Sequence, residues 1–419
     1  MPSDMVEPDY EILAINMNPL HLSGYGVKIR VENLRSRSEL EITDGREDEK
    51  QSSTMRFRPR RFPHSSIIID GHSGYISLQA FHWLSKNKIP VFVMNFDGTV
   101  ISSVLPPMPV KADLRAAQFE AATNPKMKFK IAKAIVQAKI ARSLQVLDWL
   151  AERYDIEREV RLVKKTALGL GNARTVVEIR SVEGRVAAKY WTAYGKVLPE
   201  TLDFQGRMTS SHQNDATDPV NAALNYGYGV LEGECRRAIN AVGLEPSVGF
   251  LHDFSNYQTK QSLVYDLQEL FRWIVDLSVM RAFESGALDL PHFYFTGDDY
   301  RYRFDVEAKT RFLNLLREQF NAGVSYKGRR LKWDTIIEQK ATELSRHLVG
   351  RSRDIDFVEP SPILDRSDNL ELRKAILSLT QHKANELGIG RSTLHYLQKN
   401  ARSSASFTVY NNVRQKLLQ

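Results

Sequence analysis

The spacing of apolar residues changes once along this chain, and that change limits what it can fold into. From residue 10 to about 105 the pattern is short and strand-like. HLSGYGVKIRVENL (21–34) has a Gly-containing turn followed by alternation at Val27, Ile29 and Val31, and SELEI (38–42) is placed to pair with it. SSIIID (65–70) and PVFVMNF (90–96) are β-branched or aromatic runs bounded by turn residues, and between them Ser77 is placed to cap a short helix, LQAFHWLSK. From Lys111 onward the pattern becomes helical. The reading is an α+β multidomain chain: a β-rich domain over 1–108, an all-α domain over 109–357, a linker over 358–369 and a C-terminal helix-turn-helix domain over 370–419.

Two polar stretches of the first domain have specific readings. Residues 44–53 are acidic and polar, as in a mobile hairpin loop. RFRPRR (56–61) carries four arginines in six positions, which suits a solvated edge strand protected from aggregation better than a phosphate contact.

In the helical half, Pro125 stands near a helix start, and Ile131, Ile135, Ala138 and Val146 recur at helical spacing. Lys126, Lys128, Lys130, Lys133 and Lys139 are assigned to the opposite side. With no acid among them they form a candidate DNA-facing surface, with Lys128 and Lys139 as the named contacts. Residues 199–219 read as a polar loop, whose His212 is not tied to any site. A long helix follows, capped by Asp218, with Pro219 in its first turn and Gly243 at its end. Asn225, Tyr226 and Tyr228 lie in a row along it and either face a site or fill the core.

With 42% hydrophobic residues in 419, sizeable cores are available, and the formal charge of +8 favours a polyanionic partner without naming it. One cysteine, Cys235, excludes an internal disulfide framework and any Cys-rich zinc module. MPSDMVEPDYEIL is not a signal peptide and no apolar run approaches a membrane span, so a cytoplasmic protein without membrane contact is expected.

The chemistry-bearing segment is Gly243 to Arg272, GLEPSVGFLHDFSNYQTKQSLVYDLQELFR. It places His252 in a loop and Asp266 fourteen positions later in an amphipathic helix. Upstream, Glu183 lies in another helical stretch, RSVEGRVAAKYW. An imidazole with two carboxylates suits Mg²⁺ or Mn²⁺ better than structural zinc, and such an ion can polarise a phosphodiester.

Five stretches then run in a recognisable order: 67–98, 114–140, 181–191, 218–252 and 262–276. Together they resemble the integrase of CRISPR adaptation, the enzyme that inserts spacers into CRISPR arrays. The resemblance implies that Glu183, His252 and Asp266 are catalytic metal ligands. It also implies a transesterification on double-stranded DNA and a homodimer formed through the β-rich domain, with higher assembly such as a tetramer on DNA.

The tail adds a second signal. Beyond the Pro/Ser/Asp-rich VEPSPILDRSDN comes LRKAILSLTQHKANELGIGRSTLHYLQKNAR. Counting from Thr380, Ala384 is placed for close helix approach, Gly388 for a tight turn, and Leu387, Ile389, Leu394 and Leu397 for a small core. Lys383 departs from the apolar residue usual at its position. Arg391 to Gln398 would be the recognition helix, with Arg391, Ser392, Thr393, His395, Lys399 and Arg402 as candidate DNA contacts. Residues 365–419 hold nine Lys or Arg against four Asp or Glu. A helix-turn-helix appended to this core looks like a casposase, the related transposase that joins the ends of a mobile element to a target and leaves a duplication. The alternative is a CRISPR spacer integrase with an added domain.

Overall fold

In the computed structural model, residues 18–34, 37–45, 54–71, 73–95, 98–107, 109, 111–207, 216–252, 261–296, 301–360, 376–387 and 389–399 are described. The expectations for residues 46–53, His212, residues 361–369, Gly388 and Arg402 lie outside these residues.

The N-terminal half forms two four-stranded sheets. Strands β2 (Val27–Leu34), β3 (Arg37–Thr43) and β4 (Thr54–Phe57) are antiparallel, and β6 (Gly74–Ile76) adds to β2 in parallel, giving the order β4-β3-β2-β6. The second sheet runs β1-β5-β7-β8. In it β1 (Leu20–Gly24), β5 (Ile67–Gly71) and β7 (Val91–Met94) are parallel, and β8 (Val100–Val104) is antiparallel to β7. Helix α1 (Leu78–Lys86) is capped by Ser77, which accepts from the Ala80 amide, and contributes Ala80, Trp83 and Leu84 to a core with Leu22, Ile29, Leu40, Ile42, Ile67 and Val91.

The arginines of 56–61 behave as edge-strand charges. β4 is an outer strand, and Arg56 and Arg58 pair with Glu41 and Glu39 on β3 at 2.9 and 3.1 Å. The start of the presumed mobile loop is anchored instead. Asp44 is buried and its carboxylate accepts the Ser23 amide at 2.9 Å, because the end of β1 needs an acceptor there.

Among the described residues eight helices follow in the helical domain: α2 (Ala112–Thr123), α3 (Pro125–Ala151), α4 (Glu157–Ala167), α5 (Val176–Gly195), α6 (Pro219–Val242), α7 (Ser262–Glu269), α8 (Arg272–Glu284) and α9 (Val306–Asn321), and α10 (Trp333–Leu348) closes the domain. Ile131, Ile135, Ala138 and Val146 of α3 are all buried. α6 begins at Asp218, which accepts from the Asn221 amide, and ends at Gly243 with φ +87°.

The domain is not all-α. Two antiparallel hairpins interrupt it: β9 (Phe293–Thr296) with β10 (Arg301–Phe304), and β11 (Gly323–Tyr326) with β12 (Arg329–Lys332). Each strand has four residues, too short to register against a helical period. The second hairpin turns on Lys327–Gly328, both with positive φ, the two-residue turn that matches strand twist.

The two halves meet along α6. Gly229 lies so near the β7–β8 turn that a Cβ would stand 1.8 Å from the Gly98 carbonyl oxygen, so only glycine admits this approach. Beside it, Lys309 of α9 donates to Asp70 of β5 at 2.5 Å, His21 of β1 lies 3.7 Å from the same carboxylate, and Tyr226 meets His21 at 3.1 Å. All four side chains are buried.

Residues 357–360 are docked on α3 rather than free as a linker. The buried Arg142 guanidinium donates to the carbonyls of Phe357, Val358 and Pro360 and lies over the Trp333 ring. The linker can therefore begin only after Pro360. Farther on, α11 (Gln381–Glu386) and α12 (Arg391–Lys399; numbered here in chain order) contact each other. Ala384, Ile389 and Leu394 are buried between them with Ile376 and Leu379, and Gln398 donates to the carbonyls of Ile376 and Leu379. Lys383 is exposed, so its charge does not enter this small core. Among the described residues no helix is long and apolar enough to cross a membrane.

The inter-domain ion pair yields a stability prediction. Burial pushes the Asp70 carboxyl up, but His21 and the Lys309 ammonium outweigh it and hold it below its ordinary value of 3.8. A depressed carboxyl stabilises the fold above pH 3.8, and the contribution is lost as pH falls through the folded value. Asp70→Ala strands a buried ammonium and should cost about 3–5 kcal/mol at neutral pH. Asp70→Ala with Lys309→Met should recover much of that loss. Additive losses in denaturant titrations would refute the coupling.

Candidate active site

Four elements converge below α6. α5 brings Glu183, α7 brings Asp266 and Glu269, α8 brings Arg272, and α3 brings Lys139; His252 stands in the loop between α6 and α7. α7 has only eight residues and is held from outside: Gln268 donates to the Tyr228 carbonyl at 2.7 Å, and the Leu263 amide to the Pro246 carbonyl at 3.0 Å.

Asp266 organises the His252 loop. One carboxylate oxygen accepts the amides of Phe250 and Leu251 at 2.5 and 3.0 Å, and the other accepts the His252 amide at 2.9 Å and ring Nδ1 at 2.8 Å. Three successive amides aimed at one anion form a nest. Gly249 allows it, since a Cβ there would stand 2.9 Å from the Asp266 carboxylate and 2.7 Å from the Ser262 backbone. The bond to Nδ1 fixes the ring and leaves Nε2 as its other nitrogen. Burial would lower the imidazole pKa, but the hydrogen bond and charge of Asp266, with the charge of Glu269, hold it above 6.5.

One turn along α7, Glu269 faces Glu183 across the Lys139 ammonium. Lys139 is bonded to Glu183 and lies 2.7 Å from Glu269 Oε2, while Arg272 Nε lies 3.1 Å from Glu269 Oε1. The Lys139 contact to Glu269 is an ion pair without hydrogen-bond alignment, so Oε2 is a buried acceptor with no aligned donor. Burial pushes the Glu269 carboxyl up, but Arg272 and Lys139 bring it down to about 2. Burial likewise disfavours the Lys139 ammonium, and Glu269 and Glu183 more than compensate, raising its pKa above 10.5. A cavity of about 40 Å³ opens between these groups, lined also by Tyr228, Trp191 and Asp276. That is room for a small ion or a water.

The floor is rigid. Asp276 accepts from Tyr228 and Tyr190 at 2.5 and 2.7 Å, and Arg272 lies 4.7 Å over the Tyr228 ring. Burial raises the Asp276 carboxyl to about 6 despite these donors and the nearby arginines.

The structure thus brings together His252 with Asp266, and Glu183 with Glu269. It does not bring Glu183, His252 and Asp266 to one point: among the described residues no three His, Cys, Asp or Glu side chains converge closely enough to hold a metal ion as placed. Asp266 is 1% exposed at its side chain and both its oxygens are occupied. Lys139 corrects an expectation. It lies four residues from Ile135 and seven from Val146, so helical geometry puts it on the margin of the buried stripe, not on the solvent face. Of the other lysines, Lys128 is half-buried and Lys126 and Lys130 are exposed. Tyr228 faces the site, whereas Tyr226 turns to the inter-domain core. Arg391, Ser392 and His395 are exposed on α12; the side chains of Thr393 and Lys399 lie outside the described residues.

Glu269 and Arg272 are the residues that sequence reasoning missed. The signal was present: Glu269 is three positions after Asp266, hence on the same face of a helix whose other residues are buried. The donor chemistry fits a divalent cation, because two carboxylates already grip a positive charge, one of their oxygens lacks an aligned donor, and an oriented imidazole stands beside them.

With that geometry in view, residues 35–318 match the family described as CRISPR associated protein Cas1. A CRISPR-associated endonuclease Cas1 of Archaeoglobus fulgidus is 30% identical over 335 residues, 74% of this chain and 93% of the relative. Among solved structures, a casposase bound to integration product superposes with a TM-score of 0.77 at 34% identity, covering 86% of this chain and 99% of that one. A Cas1 protein from Thermotoga maritima shares the fold, with a TM-score of 0.64 at 18% identity over 80% and 97% of the two chains. The match over most of its length and the agreement in fold lead to one conclusion: this chain belongs to the Cas1 family.

Proposed function

We propose that this chain is a casposase-type DNA integrase that joins the 3′-OH of a mobile element's ends to target DNA by transesterification, duplicating the target site. The observation that carries this reading is the Glu183–Glu269 pair gripping a cation beside an oriented His252, in a chain 34% identical to a casposase over 86% of its length.

Glu183, Glu269 and His252 Nε2 would hold Mg²⁺ or Mn²⁺, and Asp266 would act through His252 and its loop, a refinement of the set that includes Asp266 as a direct ligand. When bound, the ion supplies Lewis-acid polarisation of the phosphodiester and neutralises charge on its oxygens. The protein's own groups do the rest. Asp266 keeps His252 in one orientation, and Arg272, braced on Tyr228, holds Glu269 ionised. Water is limited by the tight cavity floor of Tyr190, Tyr228 and Asp276. Double-stranded DNA would lie over the mouth of this site, with Lys126 and Lys128 at the start of α3 meeting phosphates. The β-rich domain would form a homodimer, with a tetramer on DNA, and the protein would work in the cytoplasm. Sedimentation as a monomer both alone and with two-ended DNA would refute this assembly.

The chemistry is tested by strand joining with a labelled 3′-OH oligonucleotide and a supercoiled plasmid. His252→Ala and Glu269→Gln should abolish joining, and Asp266→Ala should lower it by about 10–100-fold or more, as losing the orienting partner of a ligand does. DNA binding should stay largely intact, and EDTA should stop the wild-type reaction until Mn²⁺ is restored. Near-normal joining by His252→Ala or Asp266→Ala would overturn the assignment.

The tail is proposed to be a helix-turn-helix reading element ends or target through the major groove. Arg391, Ser392, Thr393 and His395 lie at the start of α12, and Lys399 and Arg402 are candidates for phosphate. A bidentate Arg391–guanine contact is worth ~1–3 kcal/mol of discrimination. Ending the chain after Pro360 leaves the Arg142 anchor intact, so the truncated protein should fold and join free 3′-OH ends. It should lose sequence preference and part of the salt-sensitive affinity. Retention of full preference would show that the tail is not the reader. Equal preference for CRISPR repeat junctions would favour the spacer-integrase role instead.

A further inference from the structure

We propose that Lys139 is an internal counter-cation that occupies the place of the divalent ion between Glu183 and Glu269 and must be displaced when that ion binds. The inference rests on the metal reading of the site.

The charges argue for it. Glu183 and Glu269 face each other in a cavity of about 40 Å³, and two cations, Lys139 and Arg272, balance them. Without either cation, two carboxylates this close would repel each other. Adding a divalent ion to the balanced set leaves an excess of positive charge at contact distance, so one resident cation has to leave.

The structure distinguishes which. Arg272 is braced on three sides: it pairs with Glu269, lies over the Tyr228 ring, and sits in the field of Asp276 behind it. Lys139 has no such brace. Neither cation makes an aligned hydrogen bond to Glu269, and Lys139 does bond to Glu183, but among the described residues no ring packs over its ammonium: its side chain keeps 20% of its surface exposed and its four-carbon stem lets the ammonium swing. Lysine is the residue suited to this task, since a guanidinium would hold the carboxylates in a fixed fork.

The test uses the full chain and Mn²⁺ alone as the probe, with calorimetry and thermal unfolding in place of activity. Lys139→Met keeps the length and apolar stem and removes the charge. In EDTA it should melt below the wild type, because the carboxylates lose their partner. With Mn²⁺ its dissociation constant should fall by roughly tenfold or more, the scale of one like-charge contact at a few ångströms. Saturating Mn²⁺ should then close the gap in Tm, as linkage requires. Lys139→Arg should bind Mn²⁺ no more tightly than the wild type. If Lys139→Met fails to fold in EDTA and Mn²⁺ alike, Lys139→Gln, which drops the charge and keeps hydrogen bonding, gives the same reading. Unchanged or weaker Mn²⁺ binding by the folded uncharged variant, with normal binding by the wild type, would overturn the inference and leave the metal reading standing. Absence of Mn²⁺ binding by every form would overturn both.

Discussion

The carboxylate of Asp266 is the interaction on which the rest of the site depends. Three backbone amides and one imidazole nitrogen converge on it, so the loop from Phe250 to His252 has its shape only while that anion is in place. An amide buried without a partner costs about 1–3 kcal/mol, so this carboxylate is a structural anchor of the loop. The same helix turn that buries Asp266 carries Glu269 into the cavity three residues on. One short helix therefore positions the imidazole from below and supplies a carboxylate from its next turn.

Placing two carboxylates so close together, one of them buried, is unfavourable unless cations accompany them, and the fold supplies both cations from different helices. Lys139 comes from α3 and Arg272 from α8, so the site exists only when α3, α5, α7 and α8 are all docked. The helices can approach because α6, at the centre, carries glycines where its neighbours touch it. A Cβ on Gly227 would stand 2.5 Å from Val275, and one on Gly229 would strike the Gly98 carbonyl. The run NYGYG therefore has a packing reason on both faces, and its tyrosines divide between the inter-domain core and the active-site floor.

Much of this was legible in the sequence, and what was not has identifiable causes. Caps carried clear local signals: Ser77, Asp218 with Pro219, and Gly243 mark helix ends in the structure as the chemistry of their side chains requires. The hairpins at 293–304 and 323–332 escaped because four-residue strands leave no periodic trace inside a helical stretch. Lys139 was misplaced because counting lysines along α3 ignored the 100° step between residues. Glu183, His252 and Asp266 were candidates by residue type, and the resemblance assigned them as ligands without giving their contacts. That Asp266 spends both oxygens on its own loop, while Glu269 faces Glu183, depends on how α5 and α7 cross, which no local pattern encodes.

Arg142 links this site to the tail. It lies one helical turn beyond Lys139 on α3, lines the same cavity, and holds the carbonyls of Phe357, Val358 and Pro360 at its other end. Burial drives its guanidinium down to about 10, still far above neutrality, so it stays charged, and the three carbonyls take up its two terminal nitrogens. Lys130, about three turns earlier, grips the Arg353 carbonyl at 2.6 Å from the same helix. The chain leading to α11 and α12 is thus fastened to the helix that carries Lys139. Residues 353–360 are in this way referenced to the carboxylate pair through α3, by the hydrogen bonds of Lys130 and Arg142.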